Sequence, residues 1–152
     1  MSFSGFNDQS VEQVIQNDGF WPDLQLDTFQ SQYRLPAEYE QGMVIAHVQM
    51  AIVRVNTQLI RWKALHQTQY STMREVPADS LGAIKTTDIN YQRAVFCLAK
   101  SLLLQQFATV DRRSAAANPE KEGEETASQF QEYADHAIAD FLGRGRINVE
   151  AL

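Results

Sequence analysis

The sequence predicts an all-α fold. It reads as a single bundle of about four helices around one long central helix, with an extended N-terminal arm (residues 1–22), the bundle (residues 23–142) and an extended C-terminal tail (residues 143–152). Three observations predict it. Apolar residues recur at alternating spacings of three and four over long windows, which is the period of a helix face and not of a strand. Only 7 Gly and 4 Pro occur in 152 residues, few for a turn-rich all-β fold. An apolar fraction of 44% against 21% charged belongs to a chain with a packed core, and the length suffices for one domain without staples.

Residues 1–22 mix Ser, Asn, Asp, Gln and Gly with scattered apolar side chains and read as an arm ending near Trp21 and Pro22. Asp27 is placed as the N-cap of a short helix running to about Arg34 and stopped by Pro36. Pro36 suits the first position of a second, much longer helix, where a missing N–H costs nothing. Glu38 and Glu40 stand near its start and Arg54, Arg61 and Lys63 toward its end, an order that complements the helix dipole. One stripe of this helix holds Ile45, Val48, Ile52, Val55, Leu59 and Trp62; a second holds Met43, Ala46, Met50, Val53 and Ile60. A helix apolar on two sides reads as the central one, packed between other helices or between subunits.

Residues 70–88 form a connection punctuated by Pro77 and Gly82. Asp88 is placed as the cap of a third helix, about residues 89–110, with Tyr91, Val95, Leu98 and Leu102 on its buried face and Cys97 beside them. Residues 114–123 read as a linker. A fourth helix, about residues 124–142, carries Phe130, Tyr133, Ala134, Ala137, Ile138 and Phe141 on one face and stops at Gly143 and Gly145. Residues 146–152 alternate apolar and polar, the pattern of a short strand with no partner of its own.

Charge and cysteine usage narrow the function classes. The net charge is −6, residues 1–33 contain no Lys or Arg, and residues 118–142 hold seven acidic side chains against Lys121. A free-standing nucleic-acid binder needs a basic face to displace counterions from phosphates, and the sequence offers no basic run. The single cysteine excludes an internal disulfide. No signal peptide is read at the N-terminus, and the longest apolar run, broken by Lys100, falls short of the roughly 20 residues of a membrane span, so the chain reads as soluble, in a reducing compartment, with no membrane partner.

Chemistry-bearing patterns are few. His47 and His66 stand roughly 28 Å apart on one predicted helix, too far to share an ion. His136 follows Glu132 at the fourth position, whereas a di-metal carboxylate bundle uses Glu and His at i and i+3, twice. Cys97 lies among Val95, Phe96 and Leu98, without the basic, electropositive setting of a nucleophile. The acidic run 120–125 lacks calcium-loop spacing. No nucleophile elbow and no phosphate loop is present. The residues therefore point to no enzyme, no metal and no cofactor. Three features suggest a component of an assembly instead: the aromatic and acidic arm (Phe3, Phe6, Phe20 and Trp21), the second apolar stripe (Met43, Met50, Val53 and Ile60), and the basic, alternating tail (Arg144, Arg146, Ile147, Val149 and Leu152).

Several short motifs, in order, carry a resemblance. They are Phe20, Trp21, Pro22 and Asp23; Asn56 and Trp62; Val76, Pro77, Ala78 and Asp79 with Leu81 and Gly82; Tyr91 through Val95; and Phe107 through Asp111. In this order and spacing the chain resembles the head-completion protein family of contractile-tailed phages (the GPL family), from about residue 20 to residue 111 and more loosely to the tail. The resemblance implies a non-catalytic protein of the virion's head–tail junction, assembled in the host cytoplasm. Such a protein binds the portal protein once DNA is packaged, helps retain that DNA without reading its sequence, and offers a surface to a tail-terminator or tail-completion protein. It also implies a ring of roughly twelve copies, matching the portal. Within that reading the tail residues meet the portal or a neighbour, and Phe20, Trp21, Met43, Met50, Val53 and Ile60 are candidates for contacts between subunits. The alternative from the residues alone is a small cytosolic helical adaptor or regulator that binds a soluble partner protein.

Overall fold

A helix made of small and apolar residues on every side finds its lowest free energy in the middle of a bundle. Such a helix occupies the centre of the computed structural model, which describes residues 13–115 and 126–144. The chain order is β1 (Val14–Ile15), β2 (Leu24–Gln25), α1 (Leu26–Gln32), α2 (Gln41–Gln58), α3 (Ile60–His66), a 3-10 turn (Met73–Glu75), β3 (Ser80–Leu81), β4 (Ile84–Lys85), α4 (Thr86–Ala115) and α5 (Ala127–Phe141). The described residues are predominantly helical, as the sequence predicts.

The central element is α4, not the second predicted helix. Ala94 through Leu103 are buried without interruption, and α2 and α5 both pack along this helix. Two polar side chains in that stretch, Lys100 and Ser101, disguise its burial in the sequence. Each is satisfied by a carbonyl of another helix: Lys100 Nζ donates to Tyr33 O at the C-terminal end of α1 (3.0 Å), and Ser101 Oγ donates as a second donor to Ala127 O in the first turn of α5 (2.7 Å). α4 begins at Thr86 rather than after Asp88. Asp88 stands in the first turn, paired with Arg74 Nε at 3.0 Å.

The long helix expected from Pro36 starts five residues later and is broken. Residues 36–39 make a turn closed by Tyr39 N to Pro36 O (3.1 Å), and this turn lays the Tyr39 ring on Phe107 of α4, 4.1 Å between centroids and 6° from parallel. At Leu59 the chain leaves helical geometry and α3 departs at 63° to α2. Thr57 Oγ1 donates to Val53 O (2.8 Å) one turn earlier, a back-bond of the kind that bends helices. The first predicted stripe faces the core: Val48, Ile52, Val55 and Leu59 are buried, joined by Val44 and Ala51.

Residues 13–22 are not a separate arm. β1 pairs antiparallel with β2, Val14 opposite Gln25 and Ile15 opposite Leu24, and the hairpin carries Ile15, Phe20, Trp21 and Leu24 into the single core. The boundary expected at residue 23 therefore falls inside a packed unit. The second hairpin, β3 with β4, turns through Gly82 at φ +62°, which a side chain would resist. α5 opens with a capping box, Thr126 Oγ1 accepting from Gln129 N (3.2 Å) and Gln129 Oε1 from Thr126 N (3.3 Å). It closes with Gly143 at φ +67°. The predicted linker 114–123 begins inside α4 and continues outside the described residues; the predicted strand 146–152 lies outside them as well.

Candidate functional site

The motif residues scattered along the sequence meet at one place. Trp21 stacks on Tyr91 of α4 (5.0 Å, 3°) and on Trp62 of α3 (5.6 Å, 28°), with Phe20 edge-on (5.1 Å) and Phe141 of α5 beside it (5.8 Å). Trp21 Nε1 has no hydrogen-bond partner among the described residues, so ring packing alone holds the indole. Next to the rings lies a closed polar triangle. Asn17 Nδ2 donates to Tyr91 Oη (2.7 Å), Tyr91 Oη donates to Asn56 Oδ1 (2.6 Å), and Asn56 Nδ2 donates back to Asn17 Oδ1 (3.0 Å). Burial pushes the Tyr91 phenol far above its ordinary value, so it stays protonated and able to donate. This cluster joins the first hairpin to α2, α3, α4 and α5. It is a structural junction, its polar triangle closed on itself and its rings packed on one another.

The remaining reactive side chains are equally settled. Cys97 is buried with Sγ 3.6 Å from Tyr33 Oη, and burial pushes its thiol up, the opposite of what a nucleophile requires. His136 Nε2 lies 3.6 Å from Glu132 on the α5 surface, and His47 Nδ1 lies 2.7 Å from Met43 O on its own helix. Among the described residues no group of three or more His, Cys, Asp or Glu is arranged around a common point.

What the described surface offers is apolar. On α2, Met50 is 46% and Val53 65% exposed; on α3, Ile60 is 61% and Leu65 75% exposed, and no α3 residue is fully buried. Leu81, Ile84 and Ile89 form a second exposed apolar group, at the β3–β4 hairpin and the start of α4. Beside it runs an open groove of about 650 Å³, lined by Tyr33, Arg74, Asp88, Gln92 and Arg93 among others. No single described helix is long and apolar enough to cross a membrane; α2 and α3 reach that composition only as a bent pair, whose inner stripe is already in the core. Several large apolar side chains left in water on neighbouring elements mark a surface for another macromolecule.

Comparison with known proteins bears on what that surface serves. The family model described as "Phage head completion protein (GPL)" matches residues 15–152. The chain belongs to this family. A probable head completion/stabilization protein of Haemophilus phage HP1 (strain HP1c1) is 28% identical over 148 residues, spanning 97% of both chains. No solved structure matches. The protein is thus a structural, non-catalytic head-completion protein of a tailed phage.

Set on the head-completion fold, the sequence-predicted site residues divide. Phe20 and Trp21, expected between subunits, are buried in the chain's own core, because the hairpin folds them inward. Met43 is half-buried, while Met50, Val53 and Ile60 are exposed. Arg144 is exposed just beyond α5; Arg146, Ile147, Val149 and Leu152 lie outside the described residues. Sequence reasoning missed Leu65, Leu81 and Ile84. Leu65 sits on neither stripe once the helix bends, and the two hairpin residues flank Gly82, the one local signal that a turn would push them outward. It also missed a charge feature: residues 41–74 contain Arg54, Arg61, Lys63 and Arg74 and no Asp or Glu.

Proposed function

We propose that this head-completion protein is a connector at the head–tail junction. It binds the portal vertex after DNA packaging, helps to retain the DNA, and presents a surface to a tail-terminator or tail-completion protein. It does so as a ring of roughly twelve copies set by the portal's symmetry. The observation that supports this best is the set of exposed apolar side chains on α2 and α3, outside a bundle whose inner stripes are already packed into one core. Such a molecule is built to be covered by neighbours. The tail, with Arg144 and Arg146 as charges and Ile147, Val149 and Leu152 as apolar contacts, adds as an extended segment to the portal or to the next copy.

Restoration of incomplete particles tests this. Filled heads from a lysate lacking the protein receive purified protein and free tails, and infectious titre and retained DNA are counted. Recovery of both is expected. Heads that keep their DNA and join tails without the protein would overturn the reading. Protein lacking residues 146–152 is expected to fail in the same assay; full activity without them would remove the tail from the mechanism.

A further inference from the structure

The two sides of this bundle are unlike in charge as well as in polarity. α2 and α3 carry Arg54 and Arg61, both exposed and both without an ion-pair partner among the described residues, beside the exposed Met50, Val53, Ile60 and Leu65. Lys63 on the same segment is engaged by Asp18 at 2.8 Å. α5 has the opposite character. From residue 126 to 141 it holds Glu132, Asp135 and Asp140 and no Lys or Arg. All three acids are exposed, with the Tyr133 ring among them, 38% exposed. Arg93 of α4 lies over that ring, 5.6 Å from its centre. α2 and α5 each pack along α4 and make no extensive contact with one another, and α3 reaches α5 through the Trp62 and Phe141 rings, 4.8 Å apart.

We propose that copies of this protein associate head to tail, the apolar and basic face of α2 and α3 on one copy seating on the acidic outer face of α5 on the next. Two chemically different faces on one chain cannot satisfy each other within that chain. Between copies they can, through a heterologous contact that repeats. Arg54 and Arg61 find carboxylates in Glu132 and Asp135, and the exposed aliphatic side chains find Tyr133 and the aliphatic stems of those acids. A self-facing contact through α2 would instead bring Arg54 and Arg61 against their own copies. A nucleic acid would use the arginines but leave Val53, Ile60 and Leu65 wet. The contact itself does not depend on the connector reading; only its closure into a ring rests on that.

Sedimentation equilibrium of the full chain at low salt tests it. Wild type is expected to associate with rising concentration. Arg54→Glu with Arg61→Glu, and separately Glu132→Arg with Asp135→Arg, are each expected to weaken association at least about tenfold, with helical circular dichroism unchanged. An equal mixture of the two variants distinguishes head to tail from face to face. Each variant alone carries two like-charged faces. When they are mixed, the two native faces pair and so do the two reversed ones, so association is expected to recover and to grow beyond 1:1, whereas a face-to-face contact through α2 would stop at 1:1 heterodimers. The chain with all four reversals is expected to recover association. Wild type that stays monomeric to about 1 mM overturns the proposal, as does an α5 variant that associates like wild type. Arginine variants that associate normally but lose binding to duplex DNA overturn it in favour of a nucleic-acid face. The particle assay stays separate: a monomeric wild type that still completes heads leaves the connector reading standing and removes only this contact.

Discussion

Trp21 shows how much one side chain decides in this molecule. Its indole lies between Tyr91 and Trp62 and touches Phe20 and Phe141, so its removal would open a cavity where the first hairpin and three helices meet. Trp21→Ala is expected to cost about 3–5 kcal/mol, read as a lower urea midpoint with the slope unchanged. Neighbouring Asp18 governs a pH response. Partial burial pushes its carboxyl up, but the Lys63 ammonium and the Trp21 and Phe20 amides outweigh this and hold it below its ordinary 3.8. A carboxyl depressed in the folded state contributes stability that is fully present above the unfolded value and is lost as pH falls through the folded one. Stability is therefore expected to drop below about pH 4 with a contribution that Asp18→Asn removes, seen as a shallower acid limb in urea titrations; an identical limb in the variant would assign the loss to other carboxylates. At this scale the sequence was partly legible. Phe20 and Trp21 stood out as too apolar for a free arm. Their destination did not, because it depends on Tyr91 and Trp62, 70 and 41 residues further along.

Elements with local instructions were readable, and those shaped by distant partners were not. α5 combines a strong apolar face with a Gly at its end, and both are visible in the chain. Its start was placed at residue 124, ahead of the true cap at Thr126, although Thr126 and Gln129 have the spacing of a capping box. Thr126→Ala is expected to cost about 1 kcal/mol and to fray the first turn, measured as faster amide exchange at the start of α5 than at its end. A variant as protected as wild type would mean that packing on α4 holds that turn without the cap. The bend at Leu59 has no Pro or Gly to announce it. It arises where Trp62 must reach Trp21 and Phe141, and turning at Leu59 brings the ring within 5.6 and 4.8 Å of them. The central helix is hidden in the sequence for a related reason. Lys100 and Ser101 look like surface residues until the carbonyls of α1 and α5 that receive them are in place. The two-residue strands are too short for any period to register.

For the molecule as a whole, the question is whether the N-terminal segment attaches to the bundle or completes it. An attached arm would make the fold of residues 23–144 self-sufficient. The packing says otherwise. Asn17 closes the hydrogen-bonded triangle with Asn56 and Tyr91, Asp18 binds Lys63, and Trp21 fills the space among Tyr91, Trp62 and Phe141. Without residues 1–22, Tyr91 and Asn56 lose their shared partner in a buried setting, and three aromatic rings face a void. Loss on that scale exceeds about 5 kcal/mol, a large share of what holds a domain of this size together. Deletion of residues 1–22 is therefore expected to abolish the cooperative thermal transition, with helical circular dichroism lost gradually in place of a sharp melt. A truncated chain that melts sharply within a few degrees of wild type would restore the arm to its first reading and free Phe20 and Trp21 for a neighbouring copy. The outcome also bears on assembly. If the hairpin completes the core, contacts between copies must come from surfaces the finished bundle leaves open, and the apolar, basic side of α2 and α3 and the acidic side of α5 are the two that are chemically matched.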